Sequence, residues 1–158
     1  MGLHDNPNIY IDSKVFERGP ASKKNIAILC EPRSLIPNAY EYVKKCANAY
    51  GAIFTHDSEL LALDNAYYLN WSSAWLQTNS KKTKGISLCT SYKDWCSLHR
   101  ARLALADYFK DSEKVDVFYG DWNNPKIAVV EPRDFLERYK FSIVIENDID
   151  EYWYTEKS

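Results

Sequence analysis

The sequence predicts an α/β fold with Rossmann-like parallel sheets distributed over two small lobes. From Asn25 onward, short apolar runs alternate with amphipathic segments, as they do in repeated strand–helix–strand units. Most of these runs are continuously apolar, which is typical of parallel strands that are buried on both faces. The length of 158 residues suffices for one ordinary core but is short for two complete Rossmann-like units.

Strands and helices alternate along the predicted fold. The strands are predicted at 25–30, 52–55, 66–69, 85–90, 114–119 and 140–146. A helix over 37–50 begins at Pro37, a residue that suits the first turn. A second helix over 97–110 takes Ser97 as its N-cap, and a short third helix begins at Pro132.

The chain is divided by a polar stretch over 70–84. Residues 1–24 are assigned to an N-terminal arm with one candidate strand, Ile9–Ile11. The first lobe then covers 25–76 and the second covers 77–158. Two lobes joined in this way predict a cleft, and ligands of open α/β sheets bind beyond the carboxyl ends of the strands.

Charge and hydropathy argue against several classes of protein. The net charge of -2 and the pI near 5.9 provide no basic field for a nucleic acid. The apolar runs are far shorter than the roughly 20 residues of a membrane-spanning helix. The first residues lack the pattern of a secretory signal, so a cytoplasmic protein without a membrane span is expected. The 23 aromatic residues favour self-association.

The cysteines and acidic residues do not follow the spacing of known metal sites. Cys30, Cys46, Cys89 and Cys96 lack paired CxxC spacing and are predicted to be reduced thiols. These patterns therefore do not favour a metal site.

Glu31 is the first candidate for chemistry, because it directly follows the first predicted strand of the first lobe. A carboxylate at this edge of a sheet is suited to act as a general base if partial desolvation raises its pKa. The alternatives are a solvated loop carboxylate and an ion-pair partner of Arg33, and the position by itself favours these.

Arg100 and Arg102 lie in the first turn of the predicted helix over 97–110. Guanidinium groups near a helix N-terminus are well suited to bind a diphosphate. The alternatives are a solvated cationic face and ion pairs with Asp107 or Glu113. His99 is predicted to be a surface or packing histidine.

The segment 146–157 combines five carboxylates, an amide, three aromatic rings and a lysine within twelve residues. An aromatic ring to stack on a base, polar groups for sugar hydroxyls and a lysine for phosphate together suggest a nucleotide-sugar pocket. An acidic loop with aromatic anchors is the alternative. Calcium or magnesium binding is less favoured, because the spacing and turn glycine of an EF-hand are absent.

These elements together resemble the α-1,3-fucosyltransferase family. The stretch YKFSIVIEN over 139–147, followed by YTEK over 154–157, is similar to the donor-binding signature of that family. The stretch KVDVFYG over 114–120 and the helix start HRAR over 99–102 resemble further family elements in the same order. The upstream stretch IFTHD over 53–57 is a looser match.

The resemblance implies a GT-B fold and an enzyme that inverts the anomeric centre of GDP-fucose as it transfers the sugar to a glycan acceptor. It also implies no metal ion and no cofactor, because arginine and lysine side chains would neutralise the charge that grows on the departing GDP. The lobe over 25–76 would be a partial acceptor-side lobe, and the lobe over 77–158 a donor-binding lobe. Because the family continues beyond the TEK element and this chain stops at Ser158, a truncated or minimal member is expected.

The resemblance also assigns roles to individual residues. Glu31 takes the place of the catalytic base, and Arg100 or Arg102 that of the arginine at the diphosphate. The remaining donor-binding residues would be Asn147, Trp153, Tyr154, Glu156 and Lys157, with the aromatic residue that meets the nucleotide left open. Two alternatives are a catalytically inactive remnant that binds a nucleotide sugar or a partner protein, and an unrelated α/β binding domain.

Overall fold

The computed structural model describes residues 6–70, 76–120, 130–150 and 152. These residues form two compact units. Unit 1 contains the described residues up to 70 together with 148–150 and 152. Unit 2 contains residues 76–120 and 130–147. Both units carry parallel sheets, so the predicted α/β class with parallel sheets is confirmed.

Unit 1 is built on a parallel sheet with the strand order β1-β2-β3-β4. Its strands are β1 Asn8–Ile11, β2 Asn25–Ile28, β3 Ala52–Thr55 and β4 Ala66–Tyr68. Its helices are a 3₁₀ helix over Asp12–Glu17, α1 over Pro37–Lys45, a second 3₁₀ helix over Ala47–Ala49 and α2 over Ser58–Leu61. Every strand therefore pairs with the next strand along the chain.

The helices of unit 1 pack against one face of this sheet. Right-handed connections between sequential parallel strands all pass over the same face. Ala39, Tyr40 and Val43 of α1 accordingly join Ala27 of β2 and Ile53 of β3 in one fully buried cluster. Period-2 alternation along the strands sends the intervening residues to the opposite face.

The opposite face of the unit 1 sheet is apolar but remains partly exposed. Register places its residues in two rows, which are Ile9, Ile26 and Ala52, and then Ile11, Ile28, Phe54 and Tyr67. In these rows Ile9 is 54% exposed, Ile11 44% and Tyr67 53%. The two faces of one sheet therefore differ sharply in hydration, although both are made of apolar side chains.

Unit 2 contains a parallel sheet with the strand order β6-β5-β7. Its strands are β5 Lys84–Thr90, β6 Val115–Tyr119 and β7 Tyr139–Ile143, and its helices are α3 Ser97–Phe109 and a short π-helix over Arg133–Glu137. Leu88 of β5 and Val115 of β6 pack with Ala106 of α3 on one face. On the other face the Ser87 hydroxyl donates to the carbonyl of Phe135 at 2.5 Å.

The structure differs from the predicted elements mainly at their ends. Residues 8–17, which the sequence assigns to an arm, form β1 and a 3₁₀ helix that buries Val15. The helix predicted over 37–50 ends at Lys45, and a separate 3₁₀ helix follows over Ala47–Ala49. Helix α2 was not predicted, and β7 stops at Ile143 rather than at residue 146.

None of the described helices combines the length and the apolar character needed to cross a bilayer.

Gly51 is predicted to tolerate no side chain. A Cβ atom at this position would lie 1.9 Å from the carbonyl oxygen of Lys23, which is backbone and cannot rotate away. We expect Gly51→Ala to lower the free energy of unfolding by about 1–3 kcal/mol, as overpacking does in well-packed sites. Urea denaturation followed by circular dichroism measures the change. Gly19→Ala is the matched control, because nothing lies within 4 Å of its Cβ position; equal stability of the two variants would contradict the steric argument.

Candidate functional site

Polar side chains gather at the carboxyl edge of the unit 1 sheet. Asp12 directly follows β1, Glu31 lies three residues beyond β2, and His56 and Asp57 directly follow β3. Because the strands are parallel, these positions share one edge of the sheet. This is the edge at which the sequence predicts ligand chemistry.

Glu31 is exposed at this edge. Its backbone N–H donates to Oδ1 of Asp12 at 3.1 Å, and its carbonyl oxygen accepts from the hydroxyl of Tyr40 at 2.8 Å. The main chain of this residue is thus held from two sides, while the residue itself is exposed, so the burial that would partly desolvate its carboxylate is not seen.

Arg33 pairs with Asp57 rather than with Glu31. Its Nε atom lies 2.8 Å from Oδ2 of Asp57, and its second terminal nitrogen lies 2.9 Å from Oδ1. Glu41 and Glu59 add ion pairs at 2.6 and 3.0 Å, and the guanidinium lies over the ring of Tyr40. The hydrogen bond from Arg33 to Asp57 is the main reason that the pKa of Arg33 is raised.

Asp57 also begins helix α2. Its Oδ1 atom accepts from the backbone N–H of Leu60 at 2.9 Å, as an N-cap carboxylate does. Burial by itself would raise the pKa of Asp57, but the hydrogen bonds from Arg33 and Leu60 outweigh burial and lower it. The carboxylate therefore stays ionised and joins the segments that follow β2 and β3.

His56 is buried beside Tyr40, with 2% of its surface exposed. Its Nε2 atom lies 3.2 Å from the hydroxyl of Tyr40. Burial lowers the pKa of His56, and the charges of Asp150, Asp57 and Asp148 oppose that effect only in part. The neutral imidazole is thus favoured at neutral pH.

Residues from the acidic segment near the end of the chain belong to unit 1, not to the lobe in which the sequence placed them. Asp148 accepts from the backbone N–H of Ser34 at 3.1 Å. The ring of Tyr152 lies 6.0 Å from that of Tyr68, and the Tyr68 hydroxyl donates to the carbonyl of Tyr152.

In unit 2, Arg102 and Asn147 meet beyond the carboxyl end of β7. Arg102 is only 6% exposed. Its terminal nitrogens donate to the carbonyl of Ile145 at 3.2 Å and to Oδ1 of Asn147 at 3.1 Å, while its buried Nε makes no hydrogen bond. Both partners are neutral groups.

The charge of Arg102 has no carboxylate partner at ion-pair distance within the described ranges. Burial lowers the pKa of Arg102, and more distant charges, including that of Glu146, raise it by less. A guanidinium remains protonated even so, because its ordinary pKa is above 12. Unit 2 therefore holds a buried positive charge whose nearest oxygen partners are uncharged.

Arg100 points to a different side of α3 from Arg102. Two residues along a helix correspond to a rotation of about 200°. Arg100 is exposed, and one of its terminal nitrogens donates to the carbonyl of Asp94 at 3.0 Å. The alternative pairing with Asp107 is not seen, since that carboxylate lies 2.9 Å from Lys110.

Cys96 and His99 also contact Asn147. Cys96 is the N-cap of α3 in place of the predicted Ser97, and its sulfur accepts from the backbone N–H of His99. The Nε2 atom of His99 lies 3.0 Å from Oδ1 of Asn147. His99 is buried and packs, which is one of the two roles that the sequence predicted for it.

Of the predicted donor-binding residues, Trp153, Tyr154, Glu156 and Lys157 lie outside the described ranges. The four cysteines are free thiols, as predicted. Within the described residues, no group of three or more His, Cys, Asp or Glu side chains is arranged to hold a metal ion. A cleft of about 330 Å³ beside β7, lined by Leu136, Tyr139 and Phe141 among others, contains none of the predicted site residues.

Sequence reasoning missed three residues of these clusters. Asp12 lies in the range that was assigned to an arm, although an acidic residue directly after the apolar run Ile9–Ile11 was a usable signal. Tyr40 was not singled out within the predicted helix over 37–50, and Asp57 entered only as part of the IFTHD stretch. Their hydrogen bonds depend on contacts between distant segments, which local patterns do not reveal.

Comparison of the chain with protein-family models, with curated proteins and with solved structures found no match.

The Arg33–Asp57 ion pair predicts a pH-dependent stability of unit 1. Since the pKa of Asp57 is lowered by folding, its contribution is present above the ordinary carboxyl pKa of about 3.9 and is lost as the pH falls through the folded-state value. We expect Asp57→Asn to cost about 1–3 kcal/mol at pH 7, because hydrogen bonds to charged groups contribute about that much. The cost should shrink toward pH 3.

Urea denaturation at pH 7, 5 and 3 measures this difference. Asp64→Asn, a change on an exposed turn of the same unit, is the matched control and should show a small effect at all three pH values. A cost for Asp57→Asn that does not vary with pH would show that the ionised carboxylate contributes nothing.

Proposed function

We propose that this chain is a fucosyltransferase-like inverting glycosyltransferase that transfers a sugar from a GDP-sugar, with GDP-fucose as the expected donor, to a hydroxyl of a glycan acceptor. The proposal assigns the partial GT-B architecture to the two units, with the donor in unit 2 and the acceptor chemistry in unit 1. Its first support is the resemblance of residues 99–102, 114–120, 139–147 and 154–157 to the donor-binding elements of that family.

The single observation that carries the proposal is the buried guanidinium of Arg102 beside Asn147. A buried charge without an ionic partner is costly, and an anion that approaches it regains part of that cost. Less screening by water also makes its field stronger than that of an exposed arginine. A diphosphate at the carboxyl edge of the unit 2 sheet fits both properties.

Arg102 is therefore the better of the two arginines for the diphosphate role. Arg100 is exposed and its charge is screened by water, whereas Arg102 is oriented by Asn147 and the carbonyl of Ile145. In the transfer step the negative charge grows on the departing GDP, and a fixed guanidinium stabilises that charge without having to reorient.

Glu31 is assigned the role of general base in this reaction. Its carboxylate takes the proton of the acceptor hydroxyl while the hydroxyl oxygen forms a bond to the anomeric carbon. The bond between that carbon and the GDP oxygen breaks, and its electron pair leaves with GDP. The exposed position of Glu31 at the sheet edge gives an acceptor hydroxyl access to the carboxylate.

The donor-binding part of the proposal predicts that Arg102→Met weakens GDP binding. Hydrogen bonds between charged groups contribute about 1.5–3 kcal/mol, so we expect an increase of about 10–100-fold in the dissociation constant. Calorimetric titration with GDP measures it, with circular dichroism as the check on folding. Arg133→Met, on an exposed residue of the same unit, is the matched control and should bind as the unmodified chain does. An unchanged affinity in Arg102→Met would remove the observation on which the proposal depends.

The catalytic part of the proposal predicts that Glu31→Gln abolishes transfer and leaves GDP binding intact. Loss of a general base lowers the rate by about 10²–10⁴-fold. Release of GDP from GDP-fucose in the presence of a panel of oligosaccharide acceptors measures turnover. Glu113→Gln, at an exposed loop position of unit 2, is the control for loss of a carboxylate.

The same experiment separates the alternatives. Binding of GDP without transfer in the unmodified chain would favour a catalytically inactive nucleotide-sugar-binding protein. No binding of GDP at all would favour an unrelated α/β binding domain.

A further inference from the structure

The backbone of Asp12 adopts a conformation that side chains usually avoid. Its φ angle of 50° is the only positive value among the described non-glycine residues. Aspartate tolerates this left-handed region better than most residues, at a cost of about 1 kcal/mol. Such a conformation persists when the surrounding contacts offset its cost, and here the Asp12 side chain accepts two backbone hydrogen bonds.

The Asp12 carboxylate extends the hydrogen bonding of the sheet beyond its last backbone pair. The β1–β2 register ends at Ile11 and Ile28. Beyond it, Oδ1 of Asp12 accepts from the backbone N–H of Cys30 at 2.8 Å and from that of Glu31 at 3.1 Å. On the other side, the N–H of Leu29 donates to the carbonyl of Phe54 in β3. The segment that leads into Glu31 is therefore held from both neighbouring strands.

Tyr40 holds the following peptide group. Its hydroxyl donates to the carbonyl of Glu31 at 2.8 Å, and its ring is fully buried in the unit 1 core. Burial raises the pKa of Tyr40, so the hydroxyl keeps the proton that it donates. The two peptide groups that flank the Glu31 side chain are thus both fixed by side chains from other elements.

We propose that Asp12 is a positioning residue for the general base Glu31: its carboxylate fixes the Glu31 main chain, with Tyr40 holding the other side, so that the Glu31 carboxylate is oriented toward the acceptor hydroxyl. This inference depends on the proposed function, since it deepens the role of Glu31 there. Neither Asp12 nor Tyr40 is assigned a contact with the reacting atoms. Misplacement of a reacting group by about 1 Å costs about 100-fold in rate, which makes such support catalytically important.

Two substitutions at residue 12 separate the hydrogen bonds from the backbone conformation. Asp12→Gly tolerates the positive φ but has no acceptor for the two N–H groups. Asp12→Asn retains a side-chain oxygen acceptor and is also tolerant of this region. We expect Asp12→Gly to lower kcat by about 10–100-fold with an unchanged KM for GDP-fucose, and Asp12→Asn to restore most of kcat. Asp64→Gly, on an exposed turn, is the matched control and should leave kcat unchanged.

Tyr40→Phe tests the second contact without emptying the core, because only the hydroxyl is removed. It should lower kcat in the same way, again with an unchanged KM for GDP-fucose. Hydrogen exchange of the Glu31 and Cys30 amides provides a readout that does not need turnover. We expect faster exchange of both amides in Asp12→Gly than in Asp12→Asn.

The possible results separate this inference from the proposed function. A normal kcat in Asp12→Gly, or unchanged exchange of the Glu31 amide, would overturn the positioning role. A rise in the KM for GDP-fucose that parallels the loss of kcat would also overturn it, since the defect would then be a general one. If the unmodified chain binds GDP but transfers no sugar, the proposed function fails, and amide exchange still decides whether Asp12 holds Glu31.

Discussion

The backbone amides beyond the ends of the short parallel strands, and at the start of α2, impose the constraint from which the unit 1 cluster arises. Strands of three to seven residues end before their N–H groups are all paired, and a buried amide without a partner is costly. Side chains supply the missing acceptors here, as Asp12 does for Cys30 and Glu31, and as Asp57 does for Leu60. The polar side chains that accept hydrogen bonds from these backbone N–H groups are therefore concentrated at the same edge where a ligand would bind.

Arg33 and Arg102 show how the same side chain serves different purposes. Arg33 is surrounded by Asp57, Glu41 and Glu59, so its charge is neutralised within unit 1. Arg102 is more deeply buried and meets only a carbonyl and an amide oxygen. The charge of Arg33 is already paired with carboxylates, so this arrangement is best explained as a structural support. The second arrangement leaves a positive charge with no carboxylate partner among the described residues, and the proposed function therefore places the diphosphate beside it.

Sequence patterns predicted the strands well because parallel strands buried within an α/β unit are continuous apolar runs. The strand Ala52–Thr55 was predicted to the residue, and Lys84–Thr90 within one residue. Helix α2 was missed because four residues are too few to show a period of 3.6, and its formation depends on the cap supplied by Asp57. Local sequence patterns identify strands and long helices, whereas the residues at which they begin and end depend on tertiary contacts.

The candidate residues were predictable to a lesser degree. Their placement after strands identified Glu31, Arg100, Arg102 and Asn147 as worth attention. The pattern could not show that Arg102 is buried while Arg100 is exposed, since that depends on which side of α3 meets the sheet. It could not show that Arg33 pairs with a residue 24 positions away either. Charge pairing across such distances is a property of the fold.

The uncovered apolar rows on the sheet of unit 1 have a thermodynamic consequence. Water already contacts about half of the surface of Ile9, Ile11 and Tyr67 in the native protein, so their hydration increases less on unfolding than that of fully buried side chains. The heat capacity increment of unfolding reflects newly hydrated apolar area. Unit 1 should therefore have a smaller increment per residue than an α/β domain of the same size with helices on both faces, and a correspondingly flatter dependence of stability on temperature.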